Sequence, residues 1–399
     1  MSTMFRIIST IAKGMIKVRL GKPLSGGQRF ILASLYSKID RVATLLVPSN
    51  VHPKLIDPDY DFVRLTSDVE SNLELFEKLQ ARFPNVDAAL PASWLGLAGC
   101  GQAEMGTVMR ISPMVEPSPE VYALDRYTLD ELSLPEMTGY LKNQIELTAS
   151  VQDRYPEMNS PPIIVGSFDL AILLRGEKVF DDFRLYKYFT EAADEELKEK
   201  IKKRGDPLYF PRLMDFATEA SIKIGKMYKE NGLAMLGMVI VNQYANPPIM
   251  SPNDFLTYIY PYVETVWKEF KRNRPTAGYM PPNPQVAKEI AEYPALSGIA
   301  CFNNYMFPQN DIGITPKEYD EEMINLSKEI KTPYNYLIHG KFLRDGTKKE
   351  IEEQVKRVCE YAVEKQAPMA LGVAAVPLGT DLSKIDLILN AVNEYGVYK

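Results

Sequence analysis

Apolar runs of five to nine residues alternate with helical patterns along most of the chain. The runs lack strict alternation of apolar and polar positions, which is typical of parallel strands covered on both faces. We predict strands at residues 87–92, 162–168, 234–242, 275–279, 295–300, 334–340 and 368–376. An eighth strand is predicted either at residues 42–48 or within the segment 104–150.

Capping patterns mark where helices begin between these runs. Thr128 and Thr347 each precede a Glu by three residues, which is the spacing of a capping box. Ser-Pro at residues 251–252 and Thr-Pro at 315–316 place a capping hydroxyl before a proline at the first helical position. Residues 187–231 are predicted to form two helices interrupted at 205–207.

The alternation of strands and helices over about 300 residues predicts an α/β fold, specifically a (β/α)8 TIM barrel. No Gly/Ser-rich linker or sharp change in composition divides the chain. We therefore expect a barrel at residues 86–399, with residues 1–85 as an N-terminal extension that packs on it.

The first 22 residues combine apolar positions at helical spacing, such as Phe5, Ile8 and Ile11, with interspersed Arg and Lys. They lack the long apolar stretch and the cleavage site of a secretory signal. The expected structure is a helix lying across the body of the protein. A helix that docks on a membrane surface or on a partner is the alternative.

Charge and cysteine content narrow the classes of partner. The chain of 399 residues has a net charge of −6, so no basic field favours nucleic acid. Its three cysteines are widely separated, which indicates a reducing, cytoplasmic environment. With two histidines in the chain, a His-rich metal site is excluded. No apolar run is long enough for an integral membrane segment.

Polar residues that follow the predicted strands are the candidates for chemistry, because barrel enzymes carry their sites at the carboxyl ends of the strands. The set is dominated by amides, phenols and a thioether, which orient ligands without titrating near neutrality. Its members are Glu104, Asn242, Tyr244, Tyr279, Met280, Asn303, Asn304 and His339.

His339 alone in this set could transfer a proton near neutral pH, and a buried, structurally satisfied histidine is the alternative. Glu104 or Asp169 could be a base if buried, although a carboxylate that caps a helix would look the same in sequence.

Several stretches together resemble the uroporphyrinogen decarboxylase superfamily, which includes corrinoid-dependent methyltransferases. The stretches cover about residues 85–396, and their order and spacing are more specific than any one of them. They are AGCGQAEMG (98–106), YALDRYTLDEL (122–132), PPIIVGSFDLAILLRG (161–176), LMDFATEASIKIGKMYKENG (213–232), MSPNDFLTYIYPYVETVWKEF (250–270), LIHGKFLRDGTKKEIEEQVKRV (337–358) and ALGVAAVPLGTDLSKIDLILNAVNEYG (370–396).

The resemblance implies a (β/α)8 barrel, and the departures from it concern the metal and the substrate. Members that methylate thiols hold zinc, at positions that here match Tyr279, Pro281 and Ala374. None of these provides the soft ligand set of such a site, so no zinc is expected. The Arg-rich motif that holds carboxylates in the decarboxylase is not reproduced in RLGKPLSGGQRF (19–30).

The resemblance therefore implies a methyltransferase that moves a methyl group between a small, mostly apolar substrate and a corrinoid on a separate corrinoid-binding protein. An aryl methyl ether fits the uncharged set of side chains. Tyr279 and His339 would donate a hydrogen bond or a proton to the oxygen that leaves, while the other candidates position the substrate. The alternatives are a decarboxylase or lyase that uses Arg175 or Lys341 to hold a small acid, and a non-catalytic member that binds a tetrapyrrole.

Overall fold

The computed structural model describes most of the chain. The described residues are 3–46, 51–89, 99–112, 115–155, 162–233, 238–242, 244–247, 249–270, 276–277, 283–296, 302–303, 317–373 and 375–398.

Short strands and longer helices alternate in chain order. The strands are β1 (Ala43–Leu46), β2 (Ala88–Ala89), β3 (Val108–Ser112), β4 (Val115–Val121), β5 (Ile163–Val165), β6 (Val239–Val241), β7 (Thr276–Ala277), β8 (Phe302–Asn303), β9 (Tyr334–Ile338) and β10 (Met369–Val373).

The helices make up a larger part of the described chain. They are α1 (Thr3–Arg19), α2 (Gly26–Ser34), α3 (Phe62–Ser67), α4 (Val69–Arg82), α5 (Gly139–Arg154), α6 (Ser167–Arg175), α7 (Lys178–Glu191), α8 (Glu195–Lys202), α9 (Tyr209–Glu230), α10 (Pro252–Asp254), α11 (Tyr260–Glu269), α12 (Pro284–Ile290), α13 (Lys317–Ile330), α14 (Gly340–Asp345), α15 (Lys348–Lys365) and α16 (Ser383–Tyr395). None of them has the combination of length and apolarity that crossing a bilayer requires.

Eight of the described strands are parallel to their neighbours and form two sheets. One sheet has the order β2-β1-β10-β9-β8, and the other has the order β5-β6-β7. The first strand of the eight pairs with the last, and the other pairs follow chain order, as in a (β/α)8 barrel divided into two arcs. A closed ring would also need β2 next to β5 and β7 next to β8. These pairs are not among those described, so closure stays a prediction.

The predicted strands are largely confirmed. β1 confirms the first of the two proposals for an eighth strand, while residues 108–112 and 115–121 form a separate antiparallel hairpin of β3 and β4. Of the strand predicted at 295–300, Ala295 and Leu296 lie in a turn and residues 297–300 lie outside the described residues, while β8 is described at Phe302–Asn303. The predicted strand 162–168 is shorter, because residues from Ser167 onward begin α6.

The helix starts follow their capping patterns. The capping boxes of Thr128 with Glu131 and of Thr347 with Glu350 are both present, and Ser251 caps α10. Thr315 and Pro316 lie outside the described residues. Between 187 and 231 the chain forms the end of α7 and then α8 and α9, so the first predicted helix is in fact two.

Helices α1 and α2 lie at the amino-terminal ends of the parallel strands. A small apolar cluster joins α2 residues such as Phe30 and Leu32 to Ala43 at the start of β1 and to Ala370 in β10. Ile11 and Val18 of α1 pack against the same cluster. The boundary at residue 85 stays a prediction, and β1, inside the predicted extension, is a strand of the five-stranded sheet.

A buried ion-pair network fixes α2 to the starts of β1 and β2. Asp87, directly before β2, accepts hydrogen bonds from Arg29 Nη1 and from both terminal nitrogens of Arg41, at 2.8 and 3.0 Å. The Asp87 carboxylate also accepts from the Thr44 backbone N–H at 2.9 Å. Asp40 pairs with Arg29 from the other side, with 2.6 Å between Oδ1 and Nε. Each charge in this network therefore has a counter-charge and hydrogen bonds.

Replacing Asp87 by Asn should lower the free energy of unfolding by about 3 to 5 kcal/mol, because two arginines would stay buried with too little counter-charge. The matched control is Glu329→Gln, which removes an exposed pair with Lys288 and should cost less than about 1 kcal/mol. Urea unfolding of both variants measures the difference. Equal effects would show that the buried network contributes no more than a surface ion pair.

Candidate functional site

Two polar segments meet where β5 and β6 end. The strands pair in parallel register from Ile163 with Val239 to Val165 with Val241. The backbone N–H of Gly166 then donates to the carbonyl of Val241 at 2.8 Å. This hydrogen bond brings Gly166, at the start of α6, beside Asn242, the residue that follows β6.

Asn242 carries the clearest signature of a ligand-binding group. Its residue is 2% exposed, and neither its Oδ1 nor its Nδ2 has a hydrogen-bond partner among the residues that the structure describes. A buried amide without partners costs on the order of 1 to 3 kcal/mol, so such groups are retained where they serve a purpose. The side chain therefore keeps one acceptor and one donor group for a ligand at the carboxyl ends of the strands.

Gly166 makes room for this amide. A β-carbon at residue 166 would lie 2.0 Å from Asn242 Oδ1 and 2.9 Å from the backbone oxygen of Val241. Both distances are too short for any residue other than glycine without movement. The carbonyl of Asn242 in turn accepts from the Asn246 side chain, which holds the turn after β6.

Asp169 and Tyr244 complete this group. Asp169 lies in the first turn of α6, is 4% exposed, and accepts the backbone N–H of Tyr244 at 3.1 Å. Burial raises the pKa of the Tyr244 phenol, and the charge of Asp169 raises it further. Tyr244 therefore stays protonated at neutral pH and can donate a hydrogen bond, while Asp169 holds its backbone in place.

The loop 99–106 approaches the same region from another part of the chain. Burial raises the pKa of the Cys100 thiol to about 12, and the charges of Asp169 and Glu104 add to that shift. A thiol of this kind is protonated and poorly nucleophilic at neutral pH.

Glu104 caps a helix. Its Oε1 accepts the backbone N–H of Leu141 at 3.1 Å, at the start of α5, where Thr138 makes no side-chain cap. Oε2 is buried without a partner, and burial raises the pKa of the carboxyl group above its ordinary value. Glu104 is therefore the helix-capping carboxylate that was considered as the alternative to a base. Its Oε2 atom could still interact with a ligand.

His339 follows β9 in the other sheet and caps α14. Its Nδ1 accepts the backbone N–H of Lys341 at 3.2 Å, so the neutral ring carries its proton on Nε2. Burial lowers the pKa of the imidazole, and the charge of Lys341 lowers it further. The ring is therefore a neutral hydrogen-bond donor at physiological pH. The hydrogen bond described for His339 does not connect it to the β5–β6 group.

The other predicted site residues are described only in part. Asn303 lies in β8, and its side chain is outside the described part of the structure. Tyr279, Met280 and Asn304 lie outside the described residues, as do the positions that correspond to zinc ligands, Tyr279, Pro281 and Ala374. Among the residues that are described, no group of three His, Cys, Asp or Glu side chains is arranged to hold a metal ion. The absence of zinc stays a prediction.

Two arginines considered at the sequence level have structural partners. Arg175 pairs with Asp182 through two nitrogens, and its guanidinium stacks 4.3 Å from the centre of the Tyr209 ring. It ends α6, about 12 Å along the helix axis from the strand end, at 1.5 Å per residue. Arg29, in the segment compared with the decarboxylase motif, belongs to the buried Asp87 network at the opposite ends of the strands.

Sequence reasoning did not identify Gly166 or the anchoring role of Asp169. The available signal was the sequence Gly-Ser-Phe-Asp directly after a strand, which places an acid in the first turn of a helix. The contact between Gly166 and Asn242 joins positions 76 residues apart, so it follows from the pairing of β5 with β6 and not from local pattern.

The fold and this site together define an α/β protein with ligand-binding groups at the carboxyl ends of parallel strands. Its sequence matches the uroporphyrinogen decarboxylase (URO-D) family over residues 59–395. The chain therefore belongs to this family.

A solved structure has a similar fold. The fold is similar to that of a methyltransferase from Methanosarcina mazei, with a TM-score of 0.63 and 15% sequence identity over 93% of this chain and 99% of that chain. None of the curated protein sequences matches this chain. The family match confirms the resemblance to the uroporphyrinogen decarboxylase superfamily.

Replacing Gly166 by Ala should displace the Asn242 side chain and destabilise the protein by about 1 to 3 kcal/mol, because the added methyl group overpacks a closed position. The matched control is Gly205→Ala, where the methyl group would meet only the flexible tip of Leu185, and a change within about 1 kcal/mol is expected. Thermal unfolding of the two variants tests this. A Gly166→Ala protein as stable as the control would contradict the described contact.

The imidazole of His339 should titrate below its ordinary value of about 6.5. Since the folded state then binds fewer protons than the unfolded state in this range, stability falls as the pH falls from about 6.5 toward the lowered pKa. His339→Asn keeps a capping side chain but removes this dependence. NMR titration measures the pKa, because the chain has two histidines and the variant assigns the signal. A midpoint at or above the ordinary value would contradict the described burial.

Proposed function

We propose that this chain is a methyltransferase that moves a methyl group between a small, mostly apolar substrate and a corrinoid carried by a partner protein, without a catalytic zinc ion. An aryl methyl ether is the substrate class that the proposal favours. The observation that carries it is Asn242 at the carboxyl ends of the strands, a buried neutral amide whose donor and acceptor both lack a hydrogen-bond partner in the described part of the chain.

The charges around this amide favour a neutral substrate. The carboxyl groups of Asp169 and Glu104 lie in the same region, where both raise the pKa of Cys100. The arginine nearest in sequence, Arg175, is paired with Asp182 at the far end of α6. A substrate carboxylate bound beside Asn242 would therefore meet acidic side chains, and Arg175 is already paired and does not balance its charge.

The residues that are described fit a reaction carried out on such a substrate. Asn242 and the protonated phenol of Tyr244 would orient an ether or alcohol oxygen by hydrogen bonds. His339, with its proton on Nε2, would donate to an oxygen that loses its methyl group. Tyr279 keeps its proposed role as a second donor. A corrinoid, when bound, supplies a cobalt centre that can accept or donate a methyl group.

Two kinds of evidence support the methyltransferase class. The chain belongs to the URO-D family, and its fold is similar to a protein described as a methyltransferase. Corrinoid dependence is an inference from the family resemblance, and the neutral, aromatic and amide side chains agree with a substrate that is held without counter-charges.

A decarboxylase or lyase acting on a small acid is the second candidate, and it depended on Arg175 or Lys341. Arg175 is committed to Asp182, and Lys341 is exposed on α14. A non-catalytic member that binds a tetrapyrrole is the third. Neither is favoured by an observation comparable to the unpartnered amide of Asn242.

Mixing the purified chain with cob(I)alamin and an aryl methyl ether such as anisole should convert the absorbance spectrum to that of methylcob(III)alamin. Asn242→Ala should reduce the rate about tenfold or more, since it removes the hydrogen bonds to the substrate oxygen. The matched control is Asn393→Ala, an exposed amide on α16, which should leave the rate unchanged. Release of carbon dioxide from an aryl acid, or cobalamin binding without spectral conversion across a panel of ethers, would favour the rival functions.

A further inference from the structure

The outer face of α1 is the largest grouping of exposed apolar side chains in one short stretch of the described chain. Ile8, Met15, Ile16 and Leu20 are 53%, 48%, 55% and 62% exposed. With the exposed Ala12 they follow one another at steps of four, three, one and four residues, so they share one side of the helix. We call these five residues the outer face of α1.

The opposite side of α1 is packed, so the helix is anchored and its outer face is presented to solvent. Ile11 and Val18 contact the small apolar cluster at α2, and Gly14 is buried. A β-carbon at Gly14 would lie 3.1 Å from Leu32 of α2, which shows how closely the two helices approach. The outer face is thus available while the fold stays intact.

Basic residues flank this face, and acids are absent from the whole segment. Residues 1–39 contain seven Lys and Arg side chains and no Asp or Glu, although the chain as a whole has a net charge of −6. One of the seven, Arg29, is buried and paired with Asp40 and Asp87, so the other six give the segment its positive charge. All 52 acidic side chains therefore lie in residues 40–399. Lys13 and Arg19 are exposed on α1 itself. The segment is a local positive region on an acidic protein.

We propose that the outer face of α1 binds an anionic lipid bilayer surface, with the apolar side chains in the interface and the basic side chains at the headgroups. An amphipathic helix with an apolar stripe and a Lys/Arg flank is the pattern of an interfacial helix. The attraction of such a flank to anionic lipid adds to the apolar contribution.

The position of α1 excludes the corrinoid-carrying partner as the occupant. Helix α2, on which α1 packs, lies at the amino-terminal ends of β1 and β2, where Arg29 meets Asp87. In the proposed function, the cobalt of the partner protein has to reach the carboxyl ends of the strands, which are the ends opposite to α2. A bilayer bound at α1 leaves those ends accessible.

Charge also disfavours a second copy of the chain as the occupant. A symmetric dimer through this face would place the same basic segment of both copies against each other, and like charges across an interface are unfavourable. An anionic bilayer provides the opposite charge over a wide area and accepts apolar side chains without specific pockets.

Co-sedimentation with vesicles tests this proposal on the full chain. The chain should bind vesicles of equal parts phosphatidylglycerol and phosphatidylcholine, bind pure phosphatidylcholine less, and lose affinity as salt is raised. Met15→Asp combined with Ile16→Asp should abolish binding. Leu197→Asp, at an exposed apolar position on α8, is the matched control and should bind as the parent chain does.

A charge variant and a measurement of mass complete the test. Lys13→Gln should weaken binding to the anionic vesicles about fivefold, as expected for one basic side chain near such a surface. Circular dichroism checks that every variant is folded. The proposal is overturned if the parent chain does not co-sediment with anionic vesicles, or if the double Asp variant binds them as the parent chain does. It is also overturned if that variant instead turns a dimer into a monomer in light scattering.

Discussion

The packing of α2 against the parallel strands depends on the hydrogen-bonded network around the buried carboxylate of Asp87. This carboxylate gathers Arg29 from α2, Arg41 from the start of β1 and the backbone of Thr44 into one hydrogen-bonded network. Close approach is necessary, since a β-carbon at Gly26 would lie 2.8 Å from the Cα of Asp87. Because the network is satisfied internally, it joins a helix to two adjacent strands at their amino-terminal ends without leaving a charge unpaired.

This network separates structural charge from the ligand-binding groups. Buried arginines lie at the amino-terminal ends, whereas the groups at the carboxyl ends of β5, β6 and β9 are an amide, a phenol and an imidazole. The acids there bind backbone N–H groups, as Asp169 does for Tyr244 and Glu104 for Leu141. Among the described residues, the amide of Asn242 and the Oε2 atom of Glu104 are buried polar groups of this region that have no hydrogen-bond partner.

Local signals in the sequence predicted most of the elements, and long-range pairing decided the rest. The capping boxes at Thr128 and Thr347 are encoded within four residues and were right. The position of β8 depends on its pairing with β9, where Phe302 lies opposite Tyr334, and the local sequence pattern does not encode that pairing. The position of Asn242 directly after a strand was predictable from the sequence pattern. The dependence of Asn242 on Gly166 was not, because it needs two strands in register.

The two ends of the parallel strands therefore differ: the amino-terminal ends carry the Asp87 network and α1, and the carboxyl ends carry Asn242 and Tyr244. This difference bears on how the chain could work with a cofactor held by another protein. Under the proposed function, a small substrate would enter the region where Asn242 and Tyr244 would align it. Substrates with little charge concentrate in lipid. Because α1 lies at the amino-terminal ends of the strands, binding of α1 to a bilayer would leave the carboxyl ends of the strands directed toward solvent. The partner could then approach from solvent while the substrate supply lies nearby. The outer face of α1 and the site at the carboxyl ends would in that case both suit a substrate that is poorly soluble in water.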